Sequence, residues 1–275
     1  MANSGINISL KSYDSIFQND EQRNSEEIKP VPLSELKPFE QQPFKVLLDE
    51  SMDELVDSIK QSGVLTPVIA RPHKDGGYEI LSGHRRVKAC ELAGITEIPV
   101  VVKNLDDDTA TILLVDSNLQ REHILPSEKA FAYQMKLEAM KRKAGRPEKE
   151  NFVQIGQNKS AYNSRQELSE QTGESSVQIQ RYIRLTNLID PILQMVDDNQ
   201  IAMNAAVELS YLGSKEQAAV LQSIEKEEAS PSIAQAKKMR KFHQDGNLSA
   251  AVIDSIMMEQ KPETVKITLG EDKLK

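Results

Sequence analysis

The first strong pattern along the chain is helical: Met52, Leu55, Val56 and Ile59 share one face of "SMDELVDSIKQSG", and Gly63 stands where a C-terminal cap belongs. The period then changes. "PVIARPHKDGGYEIL" holds two short runs rich in branched residues around Lys74, Asp75, Gly76 and Gly77, which predicts a hairpin. Helical spacing returns between His84 and Gly94, where Val87, Ala89, Cys90, Leu92 and Ala93 form an apolar surface. "IPVVV", Ile98 to Val102, is apolar throughout and predicts a buried strand that closes the unit. Residues 1–29 are polar, with little period, and predict a flexible arm in which only "LKSYDSIF" has the apolar residues to dock.

Beyond the acidic turn Asp106–Asp108, which reads as a solvated turn, the pattern defines only helices. One covers about Thr109 to Asn118, and a longer one covers Ser127 to Lys143 with Ser127 as N-cap. Residues 144–163 carry Gly, Pro and Asn without a period and predict a loop or hinge. Five or six helices are expected after it, the last ending near Gln260, and no repeat of fixed period is visible. The expected fold class is therefore α+β: a small mixed α/β domain at 30–122, an all-α domain at 123–245, and a C-terminal helix and tail at 246–275.

Composition narrows the function classes. The single cysteine, Cys90, excludes an internal disulfide framework and any multi-cysteine metal site. His73, His84, His123 and His243 are scattered with no partner at ligand spacing, which argues against zinc. No apolar stretch approaches the roughly 20 residues of a membrane span, and the amino terminus lacks a signal-peptide layout, so the chain is expected in the cytoplasm with no membrane partner. Net charge is −8, yet the window Lys136–Arg184 holds ten basic and six acidic residues, a local excess suited to a phosphate backbone.

Three clusters carry candidate chemistry. In "ILSGHRRVKACELAGI" a strand, a glycine and a helix with Arg85 and Arg86 in its first turn make an anion site: free backbone N–H groups, the positive dipole end and two guanidinium forks face one ligand. The same arginines also fit plain pairing with surface carboxylates. In "DSNLQREHILPSEKA", Asn118, Gln120, Arg121 and Glu122 gather amide, guanidinium and carboxylate groups before a proline, able to serve phosphates and a divalent metal or simply to end a polar helix. In "SRQELSEQTGESSVQIQRYIRLTNL", Ser164 caps a helix, Gly173 makes the turn and a second helix starts near Ser175. Packing through Leu168, Ser169, Ile179 and Tyr182 leaves Ser175, Ser176, Val177, Gln180, Arg181 and Arg184 on the outer face, where such types read base edges or phosphates. A generic pair of packed helices has the same pattern.

In order and spacing these segments, with "PFEQQPF" ahead of them, resemble the ParB family of plasmid and chromosome partition proteins, over roughly Pro30 to Phe242. The detail is similar to its plasmid and mobile-element branch, where His often replaces Glu in the second box. The resemblance implies an N-terminal domain, related in fold to sulfiredoxin, that binds cytidine triphosphate (CTP) with Mg²⁺. Carried across box by box, Ser82, Gly83, His84, Arg85 and Arg86 cradle phosphates, Asn118 helps hold the metal through the nucleotide, and Gln120, Arg121 and Glu122 complete the pocket. It further implies a centromere-like DNA site, a homodimer that closes into a DNA clamp, and a ParA-type ATPase met by the N-terminal arm, with Lys11 as the contact. Many members carry Glu directly before the Asn of the third box, linked to hydrolysis. Here Ser117 stands there and Asp116 lies one position earlier, which sets hydrolysis and binding apart.

Rival readings keep the scaffold. A ParB-like nuclease needs a metal-binding carboxylate set, for which Glu79, Asp116 and Glu122 are the candidates. A sulfiredoxin needs a cysteine where Gly83 stands, and Cys90 reads as core. A transcription or nucleoid-occlusion regulator would share every motif above.

Overall fold

The computed structural model describes residues 28–40, 42–121, 123–145 and 158–259; residues 1–27 of the predicted arm, Lys11 among them, lie outside these, while its last two residues, Ile28 and Lys29, belong to a strand rather than a flexible arm. The chain forms two compact units. One comprises Met1–Glu122 with Met135–Arg165, and the other His123–Gln134 with Gln166–Lys275.

The first unit is built on a five-stranded sheet of β1 (Ile28–Pro32), β2 (Leu36–Lys37), β3 (Val68–Pro72), β4 (Tyr78–Ser82) and β5 (Glu97–Val102), in the order β1-β5-β3-β4-β2. The predicted hairpin is β3 and β4, antiparallel, while β5 lies parallel to β3 and antiparallel to β1. Sequence pattern missed β1 because Pro30 and Pro32 interrupt it. Prolines are tolerated on a strand that borders the sheet on one side, which is where β1 sits.

Both faces of the sheet are covered. Helices α1 (Glu50–Ser62) and α2 (His84–Ala93) bury Met52, Val56, Ile59, Val87, Ala89 and Cys90 with Val68, Ile80, Ile98 and Val100 on one side. Helix α3 (Asp107–Leu119) buries Ala110 and Leu114 with Leu81 and Phe39 on the other. Successive strand residues point to opposite faces, so Ile80 and Leu81 enter different clusters, and the unbroken apolar run in β4 follows. Leu92, expected on the apolar surface of α2, is 49% exposed, since its position turns it away from the sheet.

The acidic turn is a helix start rather than a solvated loop. Asp106 accepts the Thr109 N–H at 2.8 Å, Asp107 pairs with Arg71 and Asp108 with Arg142, each at 2.7 Å, which places negative charge on the positive end of α3. Arg71 also donates to Glu79 at 2.6 Å and to the Leu105 carbonyl, tying the hairpin to the start of α3.

In the second unit the helices are the N-terminal part of α4 (Pro126–Gly145), the part of α5 (Asn158–Thr172) from Gln166 on, α6 (Ser176–Leu185), α7 (Asp190–Asp197), α8 (Met203–Leu209), α9 (Ser214–Glu227), α10 (Ile233–Gln244) and α11 (Ala250–Met258). After the loop region the described residues thus hold seven helices where five or six were expected, because α7 and α8 are too short to declare a period. Two caps also move. Helix α4 starts at Pro126, and the predicted cap Ser127 instead gives its N–H and hydroxyl to Asp197 at 2.9 and 2.5 Å. Helix α5 starts at Asn158, inside the predicted loop, so Ser164 is an interior, buried residue rather than a cap.

The aliphatic core runs from Leu185 and Ile192 through Ala205, Leu209 and Val220 to Met239 and Ile253. Gln217, 1% exposed, braces it: its carbonyl accepts the Ile189 N–H at 2.8 Å and its amide donates to the Asn187 and Leu212 carbonyls at 3.0 and 2.9 Å. Replacing Gln217 with leucine strands those backbone groups in the core. Chemical denaturation of Gln217→Leu is expected to show a loss of about 1–3 kcal/mol.

Candidate functional site

Ser82, Gly83, His84, Arg85 and Arg86 stand together where a strand passes into a helix. Strand β4 ends at Ser82, and Gly83, the N-cap of α2, adopts a left-handed φ of 104°. A Cβ there would stand 3.0 Å from Val68 Cγ2 and 3.1 Å from Arg86 Nη2, so the glycine is needed for backbone freedom and for room. Around it opens a cavity of about 200 Å³ lined by Gln42, Phe44, Lys45, Val46, Ser82, Gly83, His84, Arg85, Arg86, Ser117, Asn118 and Arg121. The first and second sequence clusters therefore meet: α2 supplies one wall and the C-terminal turn of α3 another.

The cations of this cavity are in different circumstances. Arg85 donates to Ser51 Oγ at 2.6 Å and lies 3.8 Å from Asp49, the N-cap of α1, so part of the carboxylate pairing considered for it exists. Arg86 folds back onto the Thr66 and Pro67 carbonyls, and burial opposes its charge. Arg121 makes no side-chain hydrogen bond or ion pair among the described residues. Its charge falls instead on His84, whose imidazole is driven down to about 4 by burial first and Arg121 second, while Nε2 is buried without a partner. A buried nitrogen with no partner, beside a guanidinium with none among the described residues, has hydrogen-bonding capacity to offer a ligand.

Asn118 gives its amide N–H to the Leu114 carbonyl at 2.9 Å, which leaves its own carbonyl oxygen as the group for a ligand or a hard cation. Gln120 is exposed and outside the cavity lining, and Glu122 lies outside the described residues. The sequence reading gave no binding role to Gln42, inside "PFEQQPF", to Lys45, directly after it, or to Ser117, in the last turn of α3, yet all three line the cavity. Glu79 and Asp116, candidates for a nuclease, are each engaged by a different cation, Glu79 by Arg71 and Asp116 by the buried Lys136. Cys90 is fully buried and burial pushes its thiol up, as befits core.

In the second unit Leu168 of α5 and Ile179 of α6 are buried, 0 and 1% exposed, and the Ser169 hydroxyl donates to the Glu174 carbonyl at 2.6 Å across the turn. Ser175 caps α6 by accepting the Gln178 N–H, and Ser176, Val177, Gln180 and Arg181 are exposed with it on one face. Arg184 is placed differently from the expectation. Half-buried, it donates to the Ser210 carbonyl at 2.7 Å and stacks on Tyr211, so it braces the end of α8 rather than standing on the open face.

Residues 17–119 match the model of the ParB N-terminal domain, and residues 157–244 that of the ParB HTH domain. The chain belongs to the ParB family. Among curated members, the chromosome-partitioning protein Spo0J of Thermus thermophilus is 45% identical over 108 residues, covering 39% of this chain and 40% of that protein. A probable chromosome-partitioning protein ParB of Neisseria meningitidis is 31% identical over 208 residues, covering 75% of this chain and 65% of that protein. The chain thus spans from two fifths to just under two thirds of the length of these relatives. The solved ParB of Caulobacter crescentus, C-terminally truncated and complexed with CTP-γ-S, aligns with 72% of this chain and 98% of that chain at 23% identity and a TM-score of 0.33, too loose a likeness to transfer geometry. No helix among the described residues is long and apolar enough to cross a membrane.

The depressed His84 has a testable consequence. Its neutral form is favoured by folding, so its contribution is complete above the unfolded value of 6.5 and is lost as pH falls toward about 4. Between pH 7 and 4, wild type is expected to lose more stability than His84→Gln, by on the order of 1–3 kcal/mol, in paired denaturation curves.

Proposed function

We infer that the chain is a DNA-binding partition protein whose N-terminal unit binds CTP at the cavity around Gly83 and whose helical unit reads a centromere-like duplex site with α6. The observation that carries the nucleotide half is the convergence of Arg85, Arg86 and Arg121 with the N-terminus of α2 and the unpartnered His84 Nε2 around one cavity. A triphosphate brings the negative charge that this arrangement lacks, and guanidinium forks with backbone N–H groups are the donors that suit it. Gly83 lets a phosphate approach the backbone, and neutral His84 offers its nitrogen without adding charge.

The donors present fit a magnesium ion held chiefly by the phosphates, with the Asn118 carbonyl oxygen as the protein's contribution. When bound, Mg²⁺ neutralises phosphate charge. Ser117, which lines the cavity, and Asp116, held by Lys136, leave binding as the role of this chain's own residues.

On the DNA side, Ser175, Ser176, Val177, Gln180 and Arg181 form the exposed reading face, with hydroxyl, amide and guanidinium groups for base edges and phosphates and an apolar contact at Val177. Arg184 supports that face through Ser210 and Tyr211. By resemblance the protein works as a homodimeric clamp on DNA and meets a ParA-type ATPase through the arm containing Lys11, at plasmids or chromosomes within the cytoplasm.

Equilibrium binding of labelled CTP with Mg²⁺ tests the nucleotide half. Wild type is expected to bind, and Arg121→Ala, which removes the one cavity arginine without a described partner, to weaken binding at least tenfold without unfolding the protein. Absence of binding by folded wild type, or unchanged binding by Arg121→Ala, would overturn it.

A further inference from the structure

Helix α10 carries Lys237, Lys238, Arg240 and Lys241 and no acidic residue, in a chain of net charge −8. Ala236 and Met239 bury one side of the helix. Lys237 and Lys241, one turn apart, are exposed on the other, and neither has an ion-pair partner among the described residues. Lys238 is different, since it pairs with Glu259.

Arg240 links this helix to the end of the reading helix. Its Cζ lies 3.5 Å from the centroid of the Tyr211 ring, and the Cζ of Arg184 lies 3.9 Å from the same centroid. Two guanidiniums are held on one ring, and the carboxylate supplied to them is Glu208, 2.9 Å from Arg240 Nη1. Arg184 gives two of its N–H groups to Ser210 and Arg240 gives one to Glu208, so both guanidiniums retain donors, and Tyr211 is 36% exposed. Like charges gathered over the faces of one aromatic ring, continuous with an exposed lysine face, form a surface short of anions.

We propose that Tyr211, Arg240, Lys237 and Lys241 form a second duplex-DNA contact, a phosphate-backbone clamp outside the helix-turn-helix that adds affinity irrespective of base sequence. The occupant is a nucleic-acid backbone rather than an acidic protein because the cations follow a helix whose neighbour, α6, presents hydroxyl, amide and guanidinium groups. The clamp rests on the DNA-binding reading of α6. Glu208 limits it by holding Arg240, so removing that carboxylate has the opposite effect to removing the arginine.

The test is the binding of the full chain to a sequence-random duplex and to its preferred genomic fragment across a salt series. Arg240→Ala is expected to weaken both about three- to tenfold and to lower the slope of log affinity against log salt by about 1. The double variant Lys237→Ala/Lys241→Ala, on the exposed face and harmless to packing, is expected to lower it by about 2. Glu208→Gln is expected to strengthen binding to both, whereas Arg181→Ala is expected to alter the preference between them. If wild type binds but the slope is unchanged in the double variant, or Glu208→Gln weakens binding as Arg240→Ala does, the clamp is refuted and the reading helix stands. If folded wild type binds neither duplex, the DNA-binding reading itself fails, and the clamp with it.

Discussion

Helix α2 opens with two arginines at the end where the backbone dipole is already positive, and that electrostatic misfit organises the N-terminal unit. The protein meets it piecemeal. Asp49 and Ser51 take part of Arg85, backbone carbonyls of the 66–67 turn take Arg86, and His84 stays neutral through burial. Arg121, brought in from the end of α3, adds charge without adding a counter-charge among the described residues. In the proposed reading an anionic guest offsets this balance, and the left-handed Gly83 supplies the backbone geometry for a phosphate at the helix end.

The scaffold keeps these groups together by cross-linking the pieces that carry them. Arg71 ties β3 to β4 through Glu79 and to α3 through Asp107, while Phe39 beneath its guanidinium fixes the segment leading to Gln42 and Lys45. Lys136 on α4, itself buried, holds Asp116, two residues before Asn118, in a part-buried pair. That pair explains why a carboxylate so close in sequence to the cavity is a structural group here. In the helical unit the comparable braces are Gln217, at two chain reversals, and Arg184, at the end of α8. They spend polar side chains on backbone, and the exposed face of α6 is left for recognition.

Much of this was legible in the sequence, and the reason is periodicity. The hairpin, α1, α2 and the helix-turn-helix declare themselves by apolar spacing with glycine punctuation, and the strand-glycine-arginine order is enough to raise an anion site. What stayed hidden depends on distant partners. Prolines masked β1, whose place at the border of the sheet only pairing with β5 reveals. Ser127 looks like a cap until Asp197, 70 residues away, takes its donors. Arg184 looks like a reader until Ser210 and Tyr211 claim it. The charge of α10 was visible, but its link to α6 runs through one tyrosine ring that no spacing rule places there.

The most direct measurement is amide hydrogen exchange of the full chain with and without CTP and Mg²⁺. The account predicts slower exchange concentrated at 82–87 and 117–121, the two chain segments that wall the cavity, with the core strands unchanged. Nucleotide binding with protection elsewhere and none at these segments would contradict it.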